Sequence, residues 1–286
     1  MKKRIFTAII GISILSLAIW KINTIVFVIA IAIACLFASI EIMNAVKTNN
    51  KPLKIVCAVF AASVPFLFGY YPVVQLHLLI PLVFLFFFVI SCILLKDHRN
   101  IRVKMYFAAF FGSVVLPLCL STVIRIGNPN PFMNSDYTYL QGIYLTVFAF
   151  CCSWLTDAFA YFVGSKFGKH KMCPKISPKK SVEGAVGGFA LSVIFNAGVY
   201  LIVDKFLFSL SSIPFAGVLI MSGVLSVLSM IGDLTASVIK RDCDIKNFGK
   251  IFPGHGGMID RFDSCIFVFP TLYLLMESQF HFLIII

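Results

Sequence analysis

Between positions 237 and 263 the chain reads Ser-Val-Ile-Lys-Arg-Asp-Cys-Asp-Ile-Lys-Asn-Phe-Gly-Lys-Ile-Phe-Pro-Gly-His-Gly-Gly-Met-Ile-Asp-Arg-Phe-Asp, a dense run of charge in an otherwise apolar sequence. Lys240, Arg241, Lys246, Lys250 and Arg261 supply cations, and Asp242, Asp244, Asp260 and Asp263 supply anions. Gly249, Gly254, Gly256 and Gly257 let the backbone come close to a ligand. Asp260 and Asp263 stand three apart, so on a helix starting here their carboxylates share one face, as a divalent cation with oxygen ligands requires. Arg261 between them can fork onto a phosphate. Upstream, Asp233 and Ser237 are four apart in an apolar helical run that leads to Lys240 and Arg241, so acid, hydroxyl and bases line one helix end. Such a mixture suits a phosphate-and-metal site.

A second basic cluster holds Lys166, Lys169, Lys171, Lys175, Lys179 and Lys180. Gly164 to Lys169 superficially matches a phosphate-binding P-loop, but it is one residue short between its glycines and places His170 where Ser or Thr is needed, so that reading is rejected. Further on, Ser181 is placed to cap a following helix with Glu183 in its first turn, which sets Lys179 and Lys180 beside a helix N-terminus, an anion-binding arrangement. An ordinary cap flanked by lysines on the cytosolic side is the competing reading.

Both stretches resemble the phosphatidate cytidylyltransferase family, the CDP-diacylglycerol synthases. The first matches Ser-x-x-Lys-Arg at Ser237 to Arg241, then Lys246, then Pro-x-His-Gly-Gly-x-x-Asp-Arg-x-Asp at Pro253 to Asp263. Asn247 departs from it, since the family usually has aspartate after that lysine. The second, Ser177-Pro-Lys-Lys-Ser-Val-Glu-Gly184 with Gly187 and Gly188, resembles a family motif in which Ser181 stands for the usual threonine and keeps its hydroxyl. A short Arg-x-x-Thr-Ala opening from Arg4 to Ala8 is also similar to bacterial members. The resemblance covers the second half of the chain well and the first half only generically.

The elements that must position these residues are membrane helices. With 60% hydrophobic and 13% charged residues, the chain is too apolar for a soluble core and surface. Apolar runs near the 20 or so residues a bilayer needs fall at about 5–20, 24–43, 53–70, 73–95, 105–124, 139–163, 185–203, 214–239 and 264–285. The expected fold is therefore all-α, a polytopic transmembrane helical bundle of about nine spans, built as a single integral membrane domain over 1–286 with its motifs at 177–188 and 233–263. With a cytosolic N-terminus, only Lys21, Arg125 and Lys205 of the 24 lysines and arginines fall outside, and the loop at 127–137, free of both, lies outside too. Glu41, at the inner end of the second span, reads as an acid reaching the headgroups, whereas Asp157 lies deep enough in the sixth to read as functional. The nine cysteines show neither zinc spacing nor a disulfide framework. A net charge of +12 does not indicate nucleic acid, because the bases sit in short loops between spans.

The resemblance implies transfer of a cytidylyl group from CTP to phosphatidate, giving CDP-diacylglycerol and pyrophosphate. It implies Mg2+ held by Asp233, Asp260 and Asp263, catalytic roles for Ser237 and Lys240, and phosphate binding by Lys180, Arg241 and Arg261. His255 either orients a phosphate or stabilises its turn. The site then faces the cytosol at a bacterial inner membrane, and a homodimer is left open. Two rivals stand beside this reading: a CTP-dependent enzyme for another lipid, and a transporter, which would spread ionisable groups through both leaflets instead of gathering them on one side.

Overall fold

A computed structural model of the chain describes residues 2–70, 75–98, 101–128, 138–254 and 256–277. The expected positions 129–137, His255 and the last residues of the ninth apolar run lie outside the described residues. Helices dominate: α1 (Lys2–Trp20), α2 (Ile25–Ala45), α3 (Lys51–Val64), α4 (Gln75–Lys96), α5 (Val103–Phe110), α6 (Leu116–Gly127), α7 (Tyr139–Phe167), α8 (Val182–Phe206), α9 (Phe215–Asp242), the single turn α10 (Ile259–Phe262) and α11 (Cys265–Glu277). Among the described residues, six helical stretches are long and apolar enough to cross a membrane: α2, the greater part of α4, α5 running into α6, α7, α8 and α9. The helix over 103–127 is continuous, its middle wound as π-helix at Phe111–Val115.

The chain divides into two compact units, one of Met1–Arg125 with Asp242–Phe262 and one of Ile126–Arg241 with Asp263–Ile286. In the first, Met43, Leu53, Cys57, Phe86, Ile90, Ile101, Ala109 and Val114 form a buried cluster, and Phe60 stacks on Phe86 with ring centroids 4.3 Å apart. Asn50 opens α3 by accepting from the Leu53 amide at 2.8 Å and ties it to Asp97 through its own amide at 2.8 Å.

In the second unit α7 and α8 pack backbone to backbone, because three glycines of α8 leave no side chain between them. A Cβ at Gly188 would lie 2.8 Å from both the Ala160 Cβ and the Thr156 carbonyl oxygen. Below this contact, hydroxyls link the helices: Thr156 donates to Ser226 at 3.0 Å, Ser226 to Ser192 at 3.2 Å, and Asn196 to Ser222 at 3.1 Å. Small residues for close approach and buried hydroxyls for interhelical bonding are how helices associate where the surrounding lipid is as apolar as the side chains.

Between α7 and α8 the basic loop folds as a small antiparallel hairpin of β1 (Lys171–Cys173) and β2 (Ser177–Ser181), with Lys171 opposite Ser181. Ser181 ends β2 and caps α8, accepting from the Gly184 amide at 3.1 Å, as its position in the sequence suggested. Glu183 accepts from the Lys169 and His170 amides and pairs with His170 Nδ1 at 2.6 Å, so the root of the hairpin is fastened to the first turn of α8.

Candidate active site

In the second unit α9, the hairpin and the start of α11 bring acids and bases together. Asp233 lies on α9, one turn before the buried Ser237 and two before Lys240. Lys180, near the end of β2, reaches Asp233 Oδ2 at 2.5 Å, and both side chains remain about a quarter exposed. Lys240 approaches Asp263 Oδ2 at 3.9 Å, a looser pair in which both side chains are nearly buried. Arg241 Nε donates to the Ile176 carbonyl at 3.3 Å, joining the end of α9 to the hairpin turn.

Asp263 sits on the chain entering α11, where α9 passes so close that a Cβ at Gly232 would meet the Asp263 carbonyl at 2.8 Å. Its Oδ1 accepts from the Ser264 amide at 2.9 Å, while the Ser264 hydroxyl donates to Asp157 Oδ2 at 2.7 Å. Burial, then the nearby Asp233 carboxylate, pushes the Asp263 carboxyl up to about 7; Lys240 opposes this and Asp157 adds to it. Asp157, which had no visible helical partner in the sequence, thus belongs to the same acidic neighbourhood as Asp233 and Asp263.

The first unit holds the rest of the signature in a different arrangement. After α9 the backbone turns through Asp244, which adopts a left-handed φ of 57° that aspartate tolerates. The Gly-rich segment closes as a short bridge, with the Phe252 amide donating to the Gly256 carbonyl at 3.0 Å, and Gly254 and Gly256 supply the positive φ values of 83° and 92° this requires. Asp260 organises the loop, since its Oδ2 accepts from the Phe248 and Gly257 amides, each at 2.9 Å. The helix expected to carry Asp260 and Asp263 on one face lasts a single turn and ends at Phe262, so the two carboxylates are held by different partners. Arg261, Lys246, Asn247 and Lys250 are exposed.

Glu41 corrects its expectation. It does not reach outward to headgroups but is buried at 3% exposure, where Oε1 accepts from the Met258 amide at 2.9 Å and Oε2 from the Ile259 amide at 3.0 Å. No local pattern could have revealed this, because the partners lie 217 and 218 residues away in the chain. An open polar cavity of about 700 Å³ also lies in this unit, lined among others by Lys47, Asp97, Arg102, Lys104, Asp242 and Asp244. Among the described residues, its lining includes none of those expected to bind phosphate or metal.

The sequence profile of the Cytidylyltransferase family matches residues 2–279. The chain belongs to that family. Among its relatives, the phosphatidate cytidylyltransferase of Staphylococcus aureus (strain COL) is 35% identical over 279 residues, covering 96% of this chain and 99% of that enzyme. The phosphatidate cytidylyltransferase of Staphylococcus saprophyticus is 40% identical over 166 residues, or 58% of this chain and 61% of that one. That of Bacillus subtilis (strain 168) is 37% identical over 165 residues, or 58% and 56%. A cytidylyltransferase handles a nucleoside triphosphate, and the Lys180–Asp233 and Lys240–Asp263 pairs offer what that demands: cations for phosphate oxygens and hard oxygen donors for a metal.

The donor set can be tested against the expected metal. Among the described residues no three carboxylate, imidazole or thiol groups converge at coordination distance. Magnesium does not require such a cage, since it keeps several waters and is commonly held by one or two carboxylates together with substrate phosphates. Asp233 and Asp263, whose mutual repulsion a cation would relieve, fit that mode of binding. Asp260, with one oxygen committed to two backbone amides, fits it less directly.

Proposed function

We propose that this protein transfers the cytidylyl group of CTP to phosphatidate, releasing pyrophosphate and leaving CDP-diacylglycerol in the membrane. The observation that carries this reading is the similarity to the S. aureus phosphatidate cytidylyltransferase along almost the full length of both chains. The geometry of the second unit supports it, because lysines and aspartates paired with each other can exchange those partners for phosphate and metal without leaving net charge stranded.

In this reaction a phosphate oxygen of phosphatidate forms a bond to the α-phosphorus of CTP, and the bond from that phosphorus to the oxygen bridging towards the β-phosphate breaks. A lipid phosphate is already anionic near neutral pH, so the barrier lies in bringing like charges together and not in removing a proton. Lys180, Lys240 and Arg241 of the second unit neutralise the triphosphate and the lipid phosphate, Ser237 donates a hydrogen bond to them, and the family resemblance gives Arg261 a phosphate-binding role as well. Asp233 and Asp263 would hold magnesium, and Asp260 orders the loop of the first unit that carries Arg261. The bound metal supplies positive charge to the phosphate oxygens and to the departing pyrophosphate.

We read nine crossings: the six long helices together with α1, α3 and α11. A cytosolic N-terminus then puts the hairpin and the signature on the cytosolic side of the cell membrane, where CTP is dissolved, and leaves Lys21, Arg125 and Lys205 on the other.

The deciding experiment offers radiolabelled CTP to the purified full chain in detergent micelles with phosphatidate, other phosphorylated lipids or none, with and without magnesium. Magnesium-dependent label in lipid, with phosphatidate preferred, is the expected result. Label appearing only with another acceptor would reassign the substrate, and no label in any lipid would overturn the reading.

A further inference from the structure

We propose that Glu41, which neither signature stretch includes, is a positioning residue for the reaction, acting from α2 on the loop that carries Asp260 and Arg261; this rests on the function proposed above. Its two oxygens accept from consecutive amides, those of Met258 and Ile259 at 2.9 and 3.0 Å, just where the chain enters α10. Those amides open a helical turn, so they have no partners within it, and a carboxylate meeting two of them is favoured by charge as well as by hydrogen bonding.

The fit around the carboxylate comes from the loop itself. A Cβ at Gly249 or at Gly257 would overlap the Glu41 carboxylate, so both glycines leave the room it occupies. The adjoining contacts continue into Asp260, whose Oδ2 accepts from the Gly257 amide at 2.9 Å. Glu41 therefore fixes the backbone on either side of Met258, and through it the direction in which Asp260 and Arg261 project. With both oxygens engaged by these amides, it acts through the loop. Its effect on turnover runs through Arg261, to which the family resemblance gives a phosphate-binding role, since a displacement of about 1 Å at a reacting site costs on the order of a hundredfold in rate.

Glu41→Gln keeps the size of the side chain but turns one acceptor into a donor facing an amide N–H, which leaves a buried donor unmet. Amide hydrogen exchange on the full chain in detergent should then be faster in the stretch 249–262, and kcat should fall about tenfold or more, a larger change than that in KM for phosphatidate. Gly257→Ala should produce the same pattern, and in a Glu41→Ala background it should add little, because the two changes break one contact. If Glu41→Gln does not fold, Gly257→Ala decides by the same two measurements. Wild-type exchange over 249–262, or faster exchange with kcat within twofold of wild type, would overturn the proposal. If wild-type protein makes no lipid-linked CDP, the functional reading fails instead, and the exchange comparison alone decides whether Glu41 holds the loop.

Discussion

Glu41 and Asp260 of the first unit and the clustered aspartates of the second are the same chemical groups in contrasting surroundings. Glu41 gives both oxygens, and Asp260 one, to backbone amides, and in this way both brace the loop. Asp233, Asp263 and Asp157 face lysines, a serine hydroxyl and one another. A carboxylate satisfied by amides has little to gain from a cation, whereas carboxylates crowded together gain a great deal. Motif membership alone therefore does not fix a carboxylate's surroundings: Asp260 and Asp263, three residues apart in one signature, meet backbone amides in one case and a lysine and a neighbouring acid in the other.

The contrast is most easily broken by pairing substitutions. At Asp263 the charge is what matters, so Asp263→Asn should cost about a hundredfold or more in transfer rate, nearly as much as Asp263→Ala. At Asp260 the acceptor matters, and asparagine can still offer one oxygen to the Phe248 and Gly257 amides; Asp260→Ala should thus be severely impaired and Asp260→Asn should recover most of the activity. Equal loss in the two asparagine variants, each assayed with labelled CTP, would erase the distinction.

A smaller effect concerns pH. With its pKa raised to about 7, the Asp263 carboxyl keeps its proton in the folded protein at pH values where the unfolded chain, near 4, has released it. This group's contribution to stability is therefore least favourable above pH 7 and improves as pH falls towards 4. The thermal midpoint in metal-free detergent solution should rise from pH 8 to pH 6 more in wild type than in Asp263→Asn, and magnesium should stabilise wild type more at pH 8 than at pH 6. An identical pH slope in the two proteins would count against a strained carboxyl at this position.

The smallest effect is expected at Asn247. It is exposed, and in the proposed reading Asp233 and Asp263 supply the carboxylates, so Asn247→Asp should leave the magnesium dependence of transfer nearly unchanged. Rescue of an inactive natural chain by this change would make position 247 a ligand.

What could be read from the sequence was local. Ser181 and Glu183 announce the start of α8 because a cap and its first-turn acid are neighbours along the chain, and the apolar runs announce the membrane helices because hydropathy accumulates over one continuous segment. The hairpin was not visible: Ser-Pro-Lys-Lys-Ser has weak strand propensity, and its pairing depends on the opposite strand and on the root held by Glu183. Lys180 was expected at a phosphate site, but its pairing with Asp233 joins a hairpin to a helix more than fifty positions later. Glu41 lay beyond any window, and only the folded first unit shows what its charge is for.

The way the first unit is threaded also bears on how the protein is made. Most of that unit is synthesised first, over Met1–Arg125, yet its last piece, Asp242–Phe262, emerges only after the whole intervening stretch of the second unit has left the ribosome. Throughout that interval α2 is already made with Glu41 on it, while the amides that will receive the carboxylate do not yet exist. The nascent chain carries this acid without those partners until translation reaches Met258, which makes closure of the first unit a late event in biogenesis.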